Sequence, residues 1–165
     1  MQFVVCSKRE ATEFESQSIW CGIQINTFKD ESHPKISAVK RLDLLQITFP
    51  DADSTDFTSE SLSESEIKEL KQNLFSQEHA DKIIDFYLKN KNNCEVLMVH
   101  CYAGRCRSPA VAAALSKIAN NDDMIYFKNY TPNALVYNAI LERAFERGLL
   151  QAQIEQKEIE GRLNQ

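Results

Sequence analysis

Glycine and proline are scarce in this 165-residue chain, with four of each, and there is a single tryptophan. Such a composition excludes a collagen-like, Gly/Pro-rich or low-complexity protein. No apolar run approaches the ~20 residues of a membrane-spanning helix. Phe3-Val4-Val5-Cys6 at the N-terminus is too short for the apolar region of a secretory signal. No internal repeat appears, no long Gly/Ser/Pro linker divides the chain, and Cys-x-x-Cys is absent. Positive charge is in the minority, with 19 Lys and Arg against 24 Asp and Glu and a net charge of −5. That balance argues against a non-specific nucleic-acid binder and against an anionic-membrane binder. The five cysteines are an odd number in a chain with no signal-like start, so a secreted disulfide framework is not expected. The expectation is a reduced, cytoplasmic domain that binds neither nucleic acid nor membrane.

With 43% hydrophobic and 26% charged residues, the chain has ordinary globular composition. Its length suits one hydrophobic core, expected over residues 1–150, with 151–165 as a polar, helical extension. Phe3 to Cys6, Ile19 to Ile25 and Arg41 to Phe49 are rich in β-branched, aromatic and aliphatic residues and predict strands. Residues 51 to 66, rich in Ser, Asp and Glu, predict a solvated loop. Ser63 followed by Glu66 is a capping box that opens a helix through Ile67, Leu70 and Leu74. A second helix is predicted from Ser76, with Ala80, Ile84 and Leu88 on one face, up to the polar break at Asn90 to Asn93. Val96-Leu97-Met98-Val99 predicts a strand buried on both faces. A helix with Ser108 as N-cap and Pro109 first in the helix follows, and another lies between Thr131 and Gly148. Strands alternating with helices predict an α/β fold with a central, mainly parallel sheet flanked by helices.

Between the buried strand and the helix at Pro109 stands His100-Cys101-Tyr102-Ala103-Gly104-Arg105-Cys106-Arg107-Ser108. A helix N-terminus offers free N–H groups and partial positive charge, which suit an anion. Gly104 lets the loop curl until successive N–H groups face one centre. Arg107 brings a planar fork matched to paired phosphate oxygens. From Val96 to Ile118 no residue is acidic, while Arg105, Arg107 and Lys117 are basic. A cysteine at the base of such a ring is favoured as thiolate and can attack phosphorus.

His-Cys, five residues, then Arg-Ser resembles the signature of the cysteine-dependent protein tyrosine phosphatases. Ala103-Gly104 and Ser108-Pro109-Ala110 resemble their compact dual-specificity branch, of the bacterial and phage type. The likeness is sharp over residues 96–116 and looser over 83–86 and 131–139. It implies a phosphatase-like fold with a strand–phosphate loop–helix site and hydrolysis of phosphotyrosine, with phosphoserine and phosphothreonine as further substrates. It also implies a phosphorylated protein or peptide as partner, and neither cofactor nor metal. In such an enzyme Cys101 would carry a phosphocysteine intermediate, and Arg107 would hold the equatorial oxygens. Ser108 would hydrogen-bond the departing sulfur, His100 would orient the loop, and Tyr102 to Arg107 would bind the phosphate.

A general acid is needed as well. Phe49-Pro50-Asp51 resembles the Trp-Pro-Asp loop of larger tyrosine phosphatases and marks Asp51, with Asp53 as a rival and Asp56 a distant third. Cys101 to Pro109 also reproduces the Cys-x-x-x-x-Cys-Arg-Ser-Pro pattern of low-molecular-weight tyrosine phosphatases. That comparison offers Cys106 as a redox partner of Cys101, against a plain loop-filling role. A zinc site from Cys94, His100, Cys101 and Cys106 is disfavoured by its spacing and by Arg107. Cys6 and Cys21 are expected as buried small hydrophobes, and His33 and His79 as isolated surface residues. Arg105 is either a solvated charge or the contact for a second phosphate or acidic flank. The competing functions are a non-catalytic phosphate-binding module, a phosphatase of non-protein esters, and a rhodanese-like sulfurtransferase, the last opposed by Arg107-Ser108.

Overall fold

A computed structural model of the chain describes residues 1–52 and 62–150. Four strands, β1 (Gln2–Ser7), β2 (Trp20–Asn26), β3 (Arg41–Thr48) and β4 (Val96–Cys101), form one sheet in the order β1-β4-β2-β3. Every pairing is parallel. The helices are α1 (Lys8–Thr12), α2 (Glu64–Gln72), α3 (Gln77–Asn90), α4 (Arg107–Asn120), α5 (Met124–Asn129) and α6 (Ala134–Glu146). β4 is buried at all six positions, as its uninterrupted apolar run predicts.

The period-2 geometry of the strands divides the core into two layers. Phe3, Cys21, Ile23, Ile25, Leu97, Val99 and Cys101 face α3, α4 and α6, joined by Val111, Leu115, Val136 and Ile140. Cys6, Trp20, Val96 and Met98 face the other way, under Ala11 of α1, with Phe14 and Ile36 packed against them. Cys6 and Cys21 are thus buried members of the core, one on each side. α4 is apolar nearly all round, which suits a helix pressed between the sheet and its neighbours.

Several local expectations need correction. α4 starts at Arg107, with Cys106 as its N-cap, so Ser108 lies inside the first turn and Pro109 at its third position. Proline fits there because the first N–H groups of a helix have no intrahelical acceptor to lose. α1 and α5 were not predicted. The first is five residues long and is held by a capping box, with Glu10 Oε2 accepting from the Ser7 N–H at 2.7 Å and Ser7 Oγ from the Glu10 N–H at 3.2 Å. The boxed start at Ser63 and Glu66 is as expected, with the Glu66 carboxylate 2.8 Å from the Ser63 nitrogen. His79 is not an isolated surface residue but is half-buried against Phe49 and Phe75. His33 is also half-buried, its Nδ1 enclosed and without a partner among the described residues. Asp53, Asp56 and the extension 151–165 lie outside the described residues. No described helix is long and apolar enough to cross a membrane.

Candidate active site

The site lies at the C-terminal ends of the parallel strands, where the chain order switches sides around β4. β4 ends at Cys101, α4 begins at Arg107, and residues 102–106 form the loop between them. Three carbonyls of that loop are drawn outward. The Tyr102 carbonyl accepts from the Lys8 N–H (3.0 Å), Arg105 from Thr131 (3.1 Å) and Cys106 from Asn133 (3.0 Å). In a trans peptide the N–H points opposite to the preceding carbonyl. The N–H groups of Ala103, Cys106 and Arg107 are therefore turned to the opposite, inner side, at the head of a 14-residue helix. This is an anion nest built from backbone.

Gly104 makes the curl possible, with φ of +68°. A Cβ at this position would stand 2.7 Å from the Ser7 nitrogen and 2.9 Å from the Cys6 carbonyl carbon. The loop lies too close to the end of β1 for any side chain here.

Cys101 is buried, its Sγ 3.2 Å from Ser108 Oγ. Arg107 is 5% exposed. Its Nη1 donates to the carbonyl of Phe49 at 2.8 Å and lies 3.1 Å from Thr27 Oγ1 and 3.3 Å from the Asn26 carbonyl oxygen. These contacts fix the guanidinium plane from the ends of β2 and β3. Its Nε is buried and has no partner, and among the described residues no carboxylate pairs with Arg107. An unpaired buried charge with a free donor is strongly unfavourable until an anion meets it.

Asp51 follows the fully buried Phe49 and is itself exposed. Its Oδ1 accepts from Asn133 Nδ2 at 2.8 Å, at the N-cap of α6. Burial and the Asp51 carboxylate beside it push the half-exposed Cys106 thiol above the usual thiol range. The structure therefore brings together Cys101, Arg107, Ser108, Cys106 and Asp51. A cavity of about 400 Å³ opens between Asp51, Cys106 and Thr131 to Leu135. A second, of about 570 Å³, meets the first at Thr131 and is lined by Ala103-Gly104-Arg105, Lys128 and Glu10. Tyr102 is 72% exposed and stands on the rim.

His100 is placed differently. It faces the layer of Cys6, level with Gln24 in the sheet, and neither ring nitrogen has a partner among the described residues. Burial pushes its pKa down to about 4, so the ring is neutral near pH 7. Cys94 precedes β4 at the far end of the strand, and among the described residues no group of three His, Cys, Asp or Glu side chains could hold a metal ion. The residues missed by sequence reasoning are Asn26, Thr27 and Asn133. They serve through a backbone carbonyl, a hydroxyl and a side-chain amide, which leave no motif.

No protein-family model matches the chain, and no curated protein matches it. Among solved structures it is similar to three cysteine-based tyrosine or dual-specificity phosphatases. PTPMT1 in complex with PI(5)P is 14% identical, with a TM-score of 0.49, over 82% of this chain and 81% of that one. Human DUSP28 is 14% identical, with a TM-score of 0.47, over 92% and 94%. Tk-PTP in its active form is 17% identical, with a TM-score of 0.47, over 86% and 90%. Likeness at this level leaves the chemistry to rest on the site itself.

Proposed function

We propose that the chain is a cysteine-dependent phosphatase that hydrolyses phosphotyrosine in proteins or peptides, with phosphoserine and phosphothreonine as further substrates. The observation that carries this reading is the buried Arg107, paired with no carboxylate among the described residues and with its Nε free among them, set beside Cys101 at the head of α4. A dianionic phosphate satisfies both the arginine and the nest.

In the first step Cys101 Sγ forms a bond to phosphorus as the bond to the ester oxygen breaks. Asp51 gives that oxygen its proton. In the second, water attacks the phosphocysteine, its proton passes to Asp51, and the sulfur leaves with Ser108 Oγ donating to it. Arg107 and the loop N–H groups hold the charge on the three equatorial oxygens throughout. The groove between Arg105 and Lys128 suits an acidic flank of a peptide beside the phosphorylated residue.

Hydrolysis of an aryl phosphate in the presence of chelator tests this, using wild type, Cys101→Ser and Asp51→Asn. Turnover by wild type, none by Cys101→Ser and a loss of about 10²-fold in Asp51→Asn are expected. Absence of turnover by wild type, with inorganic phosphate still raising Tm, would instead identify a binding module.

A further inference from the structure

The turn that carries Asp51 is held by consecutive carbonyls. Arg107 Nη1 donates to the carbonyl of Phe49, and one residue earlier the Thr48 carbonyl lies 3.1 Å from His79 Nε2. The other ring nitrogen of His79, Nδ1, lies 3.1 Å from the backbone nitrogen of Ser76 and 2.9 Å from Ser76 Oγ. A backbone N–H can only donate, so Nδ1 accepts and carries no proton. The proton then sits on Nε2 and is donated to Thr48. Burial favours the neutral form, holding the ring below the usual histidine range.

The ring is also locked by packing. It stacks on Phe75 (centroids 5.6 Å, 25° between planes) and meets Phe49 edge-on (5.6 Å, 62°). Phe49 and Phe75 pack against each other at 4.8 Å. The N-terminal turn of α3 is thereby joined to the end of β3, two residues before Pro50 and three before Asp51.

We propose that His79 is a positioning residue of the phosphatase reaction, holding the Thr48 carbonyl so that the Phe49–Asp51 turn keeps Asp51 within reach of the departing oxygen. The inference rests on the reading of Asp51 as general acid. With Arg107 and Asn133 it gives the turn three anchors, on α3, α4 and the N-cap of α6. Asp51 is therefore set before substrate arrives. His79 touches no reacting atom, so its effect on kcat/KM appears only where proton donation to the departing oxygen limits the rate.

The test compares phenyl phosphate, a poor leaving group, with 4-nitrophenyl phosphate, a good one, at a pH where Asp51→Asn is impaired. His79→Phe keeps the ring packing and removes the donor. His79→Gln returns a donor toward Thr48. The expected result is a fall in kcat/KM, which reports the steps up to departure of the phenol, of about tenfold or more for His79→Phe on phenyl phosphate and within about twofold on 4-nitrophenyl phosphate. His79→Gln should recover most of the loss, and His79→Phe should add nothing in an Asp51→Asn background. Equal losses of kcat/KM on both substrates, the signature of a loosened fold, would overturn the inference, as would an unchanged kcat/KM of His79→Phe on phenyl phosphate. Inert wild type, or an unimpaired Asp51→Asn, would remove it together with the reading beneath it, and those outcomes are seen before any His79 variant is measured.

Discussion

Gly104→Ala is a one-methyl perturbation whose size can be worked from the structure. The new Cβ would lie 2.7 Å from the Ser7 nitrogen, 2.9 Å from the Cys6 carbonyl carbon and 3.0 Å from its oxygen, all backbone atoms of β1. Ordinary contact begins at 3.4 Å, so the loop must retreat by about 3.4 − 2.7 = 0.7 Å. The left-handed backbone adds about 1–2 kcal/mol for a residue with a Cβ. Crowding in a packed region adds about 1–3 kcal/mol more. A loss of roughly 2–5 kcal/mol is a large part of a stability of about 5–15 kcal/mol. With a urea slope of about 1–3 kcal/mol/M, the midpoint falls by about 0.7 M or more. The same retreat moves the nest relative to Cys101 and Arg107, and a misplacement near 1 Å lowers turnover by about 10²-fold. Urea melts and kcat/KM on an aryl phosphate measure the two effects. A variant with an unchanged midpoint and kcat/KM within twofold of wild type would refute the close approach of loop and β1.

Three further outcomes follow from other parts of the site. Arg107→Lys keeps the charge but loses the fork and the contacts to Phe49, Thr27 and Asn26, so kcat/KM should fall by about 10²-fold or more, measured at saturating and limiting substrate. Native His100 titrates at about 4, below its ordinary 6.5, so below pH 6.5 the unfolded chain binds a proton that the native state refuses. Its contribution is full above pH 6.5 and is lost as pH falls toward 4, by about 3 kcal/mol. Urea melts of wild type should fall more steeply over that window than those of His100→Gln, and parallel curves would contradict the assignment. With mild peroxide, Cys101 should be oxidised to sulfenic acid and the Cys106 thiol should displace water from it, forming a disulfide. Because the Cys106 thiol is held above its usual range, bridging should quicken as pH rises, and mass spectrometry showing sulfinic Cys101 with no bridge at any pH would exclude it.

The strand from Val96, the loop and the helix after it were legible because their signals are local: an unbroken apolar run, a glycine at the bend and an alanine-rich start. The capping boxes at Ser63 and Ser7 are equally local, but only the first opens onto a periodic apolar face that marks a helix. α5, with Met124 and Ile125 exposed, carries no periodic apolar face to betray it. The roles of Asn26, Thr27 and His79 were illegible for a different reason. Each depends on a group brought up from a distant segment, the Arg107 guanidinium for the first two and the Thr48 carbonyl for His79, and surface histidines and pinned ones look alike in a sequence. Asp51 stood out only through its neighbours Phe49 and Pro50, and its contact with Asn133 spans 82 positions.

The strand order has a consequence for how the protein is made. β4 lies between β1 and β2, yet it is the last of the four to be synthesised. Until residues 96–101 emerge, β1 has no strand to pair with and β2 keeps one edge open, with Ile23 and Ile25 beside it. Such late, non-local closure slows folding and leaves nascent chains prone to association. A chain halted before Val96 carries the three acceptors that will later hold Arg107, at Asn26, Thr27 and Phe49, but neither the arginine nor the sulfur. Insertion of one strand therefore completes the sheet and the reactive centre together, so a partly made chain has no thiol at this site to be oxidised.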